Sequence, residues 1–223
     1  MTSSEHVSPS HWAPLIAAAV CTALLVTVLA LVVTRHGTPP ALDSAGHHWF
    51  LTHREHLLTN AAILVTTTGT GAPAYALALL AGTLNSRRQH RVRGAVVAVV
   101  ALAVGQALRL ILATSISRTR PPVADWAWHA SGPALPSGHT TTSALVAALL
   151  CHALSHADRS TRVRVTGCAL ALLWTTAVGV SRVYLGVHWP SDVAAGWLFA
   201  ATLALLALPL TRRLRDLKSR LPF

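Results

Sequence analysis

The 223 residues are 52% hydrophobic and only 11% charged, and the formal net charge is +11. Soluble domains carry roughly 25% charged residues, so this composition excludes an ordinary water-soluble fold. The basic excess could serve nucleic acid. However, the charges sit in short clusters between apolar runs and make no basic face interleaved with aromatics, so no nucleic-acid partner is expected.

Three cysteines, Cys21, Cys151 and Cys168, lie inside apolar runs, where they behave as small hydrophobes. Their spacing offers neither a zinc site nor a disulfide framework. The length suits one domain covering residues 1–223, with a catalytic core over about 94–210 and a short basic tail at 211–223.

A helix needs about 20 apolar residues to cross a bilayer. In chain order the first such run is Leu15 to Thr34, preceded by a flank without Lys or Arg and read as an uncleaved span. The second, about Asn60 to Leu84, is weakened by the Thr, Gly and Pro of Thr66 to Pro73. The third is Gly94 to Ile116, the fourth Thr140 to Leu154, the fifth Val165 to Leu185 and the sixth Ser191 to Leu210. The expected fold is therefore all-α, a polytopic bundle of about six membrane-spanning helices.

Arg87, Arg88, Arg91 and Arg93 follow the second run; Arg159, Arg162 and Arg164 follow the fourth; Arg212, Arg213, Arg215, Lys218 and Arg220 follow the sixth. These are twelve of the eighteen basic residues, and an even number of spans puts them all on one side. The positive-inside bias makes that side the cytoplasm and places both termini there. Three segments face the other side: His36 to Thr59, Ser117 to Ser137, and Gly186 to Pro190.

Nearly all the chemistry-bearing residues cluster at that outer face. Arg120 and Arg182 offer planar forks that match phosphate oxygens. Ser137 and Gly138 open the fourth span, where backbone N–H groups and the helix dipole favour an anion and a missing Cβ allows close approach. His188 and Asp192 are four residues apart, so the carboxylate can hold one ring nitrogen and leave the other free to attack phosphorus. His139 can protonate the leaving oxygen. No carboxylate cluster suited to magnesium occurs, so metal-independent chemistry without a cofactor is expected.

Pro136-Ser137-Gly138-His139, and Ser181-Arg182 with His188 and Asp192, resemble the second and third signature motifs of the type 2 phosphatidic acid phosphatase superfamily. The resemblance runs from about Arg109 to Trp197. It implies a six-helix membrane core related to the soluble vanadium haloperoxidases. It also implies a phosphohistidine at His188 supported by Asp192, a general acid at His139, and phosphate binding by Arg120, Ser137, Gly138 and Arg182.

The first signature departs from the family pattern of Lys, six residues, then Arg-Pro. Counting back from Arg120-Pro121 reaches Ala113. Arg109 lies one turn deeper on the same helix face and is the expected substitute, with Arg118 the other candidate.

Other features have blander explanations. His47, His48, His53 and His56 with Trp49 and Phe50 suit an interfacial amphipathic segment better than a metal patch. His152 and His156 suit the headgroup region. The tail from Arg212 to Arg220 reads as a basic amphipathic helix on anionic lipid. Trp126, Trp128 and Trp189 fit the membrane interface and flank the site, and Asp125 could tune it.

The expected function is hydrolysis of a lipid phosphate or diphosphate at the outer face, on a polyprenyl diphosphate, phosphatidylglycerol phosphate or phosphatidic acid. A lipid phosphotransferase on the same scaffold and a non-catalytic lipid-phosphate binder are the alternatives.

Overall fold

A computed structural model of the chain describes residues 12–36, 38–86, 88–156 and 160–220. The flank Met1 to His11, Arg87 and Arg159 lie outside the described residues, as do the side chains of 208–220 on which the expected amphipathic tail depends.

All the regular secondary structure among the described residues is helical, with a long loop at 117–137. α1 spans Ala13–Val33, α2 Ala41–Thr52, α3 His56–Thr68, α4 Gly71–Leu84, α5 Arg91–Ile116, α6 Gly138–His156, α7 Thr161–Tyr184 and α8 Pro190–Arg220. Local signals set several boundaries. Pro190 occupies the first position of α8, where its missing N–H is no loss. The Ser160 hydroxyl caps α7 by accepting from the Val163 amide at 3.4 Å. α5 stops where Ser117 turns into the left-handed region at φ 51°.

The helices have a membrane protein's inverted polarity. Leu170, Leu172, Leu173, Val96, Val97, Ile111 and Ile16 all point outward. Thr66, Thr140, Thr141, Ser143, Thr175, Arg182 and Asp192 are buried. Apolar surface of this extent marks contact with lipid, and polar groups shut away from water must then satisfy one another. Ser143 Oγ meets Thr175 Oγ1 at 2.8 Å, and a chain of contacts runs from Tyr75 OH to Gln106 at 2.7 Å and on to Thr142 at 3.1 Å.

Six spans were expected, and the structure corrects that number. Among the described residues four helices are long and apolar enough to cross a membrane: α1, α5, α7 and α8 as far as Ala207. A fifth exists if α3 and α4 count as one span bent by 51°. The bend falls at Gly69 and Thr70, inside the Thr-, Gly- and Pro-bearing stretch that weakens the second run. The remaining run is α6, which contacts α4, α5, α7 and α8 and so forms the middle of the bundle. Its first turns, His139 to Ser143, are polar and turned inward. A helix sheathed by other helices does not need a lipid-compatible surface.

The core lies along α6, where Leu145 and Val146 pack with Ala74, Ala78, Leu102 and Ala200. α1 packs on α8 through a second cluster of Leu25, Val32, Leu135 and Ala195. Small residues draw α4 and α5 together, since a Cβ on Gly82 would run into the Gly94 backbone. Segment 41–55 folds back over one end of the bundle. There Arg54 donates to the Tyr184 carbonyl at 3.0 and 3.2 Å and to the Asp125 carbonyl at 2.8 Å. Gly186 makes this clamp feasible: its φ is 74°, and a Cβ would lie 2.9 Å from the Arg54 guanidinium.

Candidate active site

The alternating direction of successive helices brings the end of α5, the start of α6, the end of α7 and the start of α8 to one end of the bundle, beneath α2. A cavity of about 480 Å³ opens among them, lined by Arg109, Arg120, Gly138, His139, Arg182 and His188 together with Gln106, Thr142, Trp128 and His129. Six of the nine residues expected to carry chemistry therefore meet in one chamber. Ser137, Arg118 and Asp192 stand behind its wall.

His188 is 1% exposed and held at both nitrogens. Its Nδ1 lies 3.2 Å from Asp192 Oδ2, and its Nε2 lies 2.9 Å from Arg120 Nη1. A guanidinium can only donate, so Nε2 must be the accepting nitrogen and Nδ1 must carry the proton given to Asp192. Burial, reinforced by Arg120, Arg182 and Arg109, holds the imidazole well below the usual histidine pKa. The lone pair thus sits on the nitrogen that faces the cavity.

Asp192 is completely buried. Its Oδ2 also accepts the Trp189 amide at 2.9 Å, and its Oδ1 pairs with Arg118 Nη1 at 2.5 Å. Arg118 is thereby withdrawn from the cavity, because its Nη2 is bound to Asp43 Oδ2 at 2.6 Å.

Arg109, by contrast, reaches in. Its Nε donates to the Pro136 carbonyl at 3.0 Å, which turns the two terminal nitrogens toward Gly138. A Cβ on Gly138 would stand 3.1 Å from Arg109 Nη1, so this close approach depends on glycine. Ala113, one turn along, is fully buried and contributes no polar group.

Arg182 donates to Thr66 Oγ1 at 2.9 Å, while its Nε is buried without a partner. Arg120 is steadied by the carbonyls of Ser131, Gly132 and Val187 at 2.8 to 2.9 Å. None of Arg109, Arg120 and Arg182 ion-pairs with a carboxylate among the described residues. Three guanidinium groups around one cavity, none ion-paired to a carboxylate among the described residues, have the charge and donor geometry to attract an anion.

Ser137 is buried. Its amide donates to the Asp192 carbonyl at 3.0 Å and its hydroxyl accepts from Thr140 at 3.0 Å, so it joins α6 to α8. The first amides of α6, which have no intrahelical acceptor, follow it at the cavity wall.

His47, Asp125, Trp126 and Trp189 are held in structural contacts, and the side chain of His156 lies outside the described residues. His47 binds Asp125 Oδ2 at 3.0 Å, and its ring lies 5.1 Å from that of Trp189. Trp189 and Trp126 donate their indole N–H groups to the carbonyls of Thr119 at 3.2 Å and Pro121 at 3.0 Å. Both are therefore anchored within the protein, and only Trp128 of the three tryptophans lines the cavity. Among the described residues no three His, Cys, Asp or Glu side chains are placed to share a metal ion.

Sequence reasoning missed Asp43, Arg54 and Thr66, whose partners are 75, 130 and 116 residues away. One signal was available for Asp43: only seven acidic residues occur in the chain.

Comparisons with known proteins agree with this architecture. The chain is 36% identical to phosphatidylglycerophosphatase B of Escherichia coli over 84 residues, which is 38% of this chain and 31% of that protein. It is 31% identical to decaprenylphosphoryl-5-phosphoribose phosphatase of Mycobacterium tuberculosis over 129 residues, 56% of this chain and 64% of that one. An undecaprenyl-diphosphatase of Sulfolobus acidocaldarius is 46% identical over 39 residues, 18% of this chain and 19% of that one. The chain thus spans less than two thirds of the length of each of these relatives.

The fold superposes on the crystal structure of a transmembrane phosphatidylglycerolphosphate phosphatase from Bacillus subtilis. The TM-score is 0.77 at 21% identity, covering 88% of this chain and 96% of that one. LpxE of Aquifex aeolicus gives a TM-score of 0.57 at 21% identity, covering 76% and 96%. The family model described as the PAP2 superfamily matches residues 94–216, more than half of the chain and all of the cavity's motif residues, and the chain belongs to that superfamily.

Proposed function

We propose that this protein is a lipid phosphatase that needs no metal and works through a phosphohistidine at His188. The observation that carries this reading is the orientation of His188, which has Nδ1 on a buried carboxylate and Nε2 facing a cavity with three unpaired guanidinium groups. A phosphoryl group drawn into the cavity takes up the donors of Arg109, Arg120 and Arg182 as its equatorial oxygens gain charge. Arg120 then exchanges its contact with Nε2 for one with the anion, which frees the lone pair.

Nε2 bonds to phosphorus as the bond to the leaving oxygen breaks, and His139 gives that oxygen its proton. Asp192 stabilises the resulting cationic imidazole ring. In the second half His139 takes a proton from water, the water oxygen bonds to phosphorus, and the nitrogen–phosphorus bond breaks to release phosphate.

Arg109 takes the part that a Lys plays in the family's first motif, supported by its turn toward Gly138. The basic cytoplasmic clusters and the opposite position of the cavity support an outward-facing site with both termini inside. Residues 94–210 form the catalytic core of a single domain. A lipid substrate with a terminal phosphate or diphosphate fits the apolar surroundings. The relatives' activities support a polyprenyl diphosphate or phosphatidylglycerol phosphate.

The test is phosphate release from these two lipids and from phosphatidic acid by detergent-purified protein with EDTA present. Release by wild type and its loss in His188→Ala is the expected result. Equal release by the two proteins would rule out His188 as nucleophile, and no release by folded wild type would favour a lipid-phosphate binder. Transfer to an added alcohol in place of water would identify a phosphotransferase.

A further inference from the structure

Asp43 lies on α2, outside the residues matched by the family and outside the cavity, yet it is 1% exposed and fully engaged. Its Oδ1 accepts the Ser191 amide at 2.8 Å. Its Oδ2 accepts the Ser191 hydroxyl at 2.5 Å and Arg118 Nη2 at 2.6 Å. From Arg118 the contacts continue through Nη1 to Ser191 Oγ at 2.7 Å and to Asp192 Oδ1, and Asp192 holds His188. One buried guanidinium is thus shared by two buried carboxylates, and the second of these orients the nucleophile. α2 sits tightly enough for this to be a fixed geometry, since a Cβ on Gly46 would lie 2.9 Å from Pro190.

We propose that Asp43 is a positioning residue for His188, acting through Arg118 and Asp192. This inference rests on the phosphohistidine reading above. When the imidazole takes the phosphoryl group it becomes cationic, and Asp192 must carry enough negative charge to stabilise it. A guanidinium bound to Asp192 alone would neutralise much of that charge and draw the carboxylate toward itself. Asp43 takes one edge of the Arg118 fork, so the cation divides its field between two anions. The Ser191 amide and hydroxyl, both held by Asp43, fix the first turn of α8 from which Asp192 projects. The helix before the family's core therefore completes the catalytic machinery.

The test is Asp43→Asn, which keeps the shape but removes the charge and one acceptor. Partners one contact removed from a reacting group typically change rates by about 10- to 100-fold, and a fall in kcat of that order is expected. KM should stay within about twofold, because the cavity arginines are untouched. A merely structural role would also lower activity, by reducing the active fraction. Binding of inorganic phosphate is therefore measured alongside by calorimetry, and its stoichiometry per chain should match wild type.

A kcat within about twofold of wild type, or a loss of turnover in proportion to lost phosphate sites, would overturn the proposal. If Asp43→Asn does not fold, Ser191→Ala serves instead, since it removes the shared hydroxyl and leaves both charges. A roughly three- to tenfold lower kcat at full phosphate stoichiometry supports the proposal, and an unchanged kcat overturns it. His188→Ala is run beside these variants. Activity surviving in it would refute the phosphohistidine reading and this inference together, whereas an inactive His188→Ala beside a fully active Asp43→Asn would refute this inference alone.

Discussion

The two sides of His188 are built on opposite electrostatic plans. On the cavity side Arg109, Arg120 and Arg182 converge with no carboxylate paired to any of them among the described residues. On the other side Arg118 is gripped by Asp43 and Asp192, every charge has a partner, and the backbone of Ser191 and Trp189 is tied in. The cavity side bears uncompensated positive charge, a standing cost to folding that an anion would relieve. The rear is a closed network whose value lies in fixed geometry. On the proposed reading arginine binds in one place and braces in the other, and substitutions should separate the two uses.

The largest effect is expected at the rear. Arg118→Ala leaves two buried carboxylates facing each other, and breaking a buried ion pair from one side costs about 3–5 kcal/mol. Thermal unfolding in detergent should show a large loss of stability together with a loss of activity. An unchanged melting temperature would mean that the network does not brace the fold.

Arg182→Ala should do the reverse. Its guanidinium is buried with Nε unpartnered, so its removal relieves a desolvated charge and leaves stability unchanged or higher. Turnover should fall about 10²- to 10³-fold, as it does when a donor to developing negative charge is removed. Parallel losses of stability and turnover would contradict the division between binding and bracing arginines.

This division was only half legible in the sequence. The placement of His139, Arg182, His188 and Asp192 together could be read because their spacing is local: four residues set the His188–Asp192 pair, and Gly138-His139 opens a helix. Arg118 stands in the sequence as a second candidate beside Arg109 because what separates them is long-range. The partners of Arg118 are 74 and 75 residues away, and Arg109 is aimed by a carbonyl 27 residues away. Hydropathy located the helices but not their surroundings. It could not tell that α6 is enclosed by its neighbours, so Thr140 to Leu154 counts in the sequence as one more apolar span. Thr66 to Pro73 did signal the weak second span, because Gly and Pro act through the local backbone and need no distant partner.

Acidity provides a third way to probe the cavity side. Burial and the three arginines hold His188 below its ordinary value of 6.5, so the imidazole stays neutral and nucleophilic as the pH falls through that region. Activity should therefore persist on the acid side of pH 6.5 instead of declining there as a free histidine would. The unfolded chain takes up the proton that the folded chain refuses. From this group, stability accordingly declines as the pH drops below the unfolded value toward the depressed folded one. An acid limb of kcat/KM centred on the ordinary histidine value would show that the arginines do not act on His188.

The smallest effect tests whether Arg109 stands in for the absent Lys. Arg109→Ala should raise KM about tenfold, because one of three phosphate contacts is lost while the nucleophile and its carboxylate remain in place. Arg109→Lys keeps the charge but gives up the Nε contact to the Pro136 carbonyl and the planar fork beside Gly138. It should recover most of the affinity and end within about threefold of wild type if a point charge at this depth is what phosphate needs. A Lys variant as weak as the Ala variant would mean that the directed fork, and not the charge, does the binding. A further variant, Ala113→Lys in the Arg109→Ala background, would then show whether charge supplied from the family's own position can restore it.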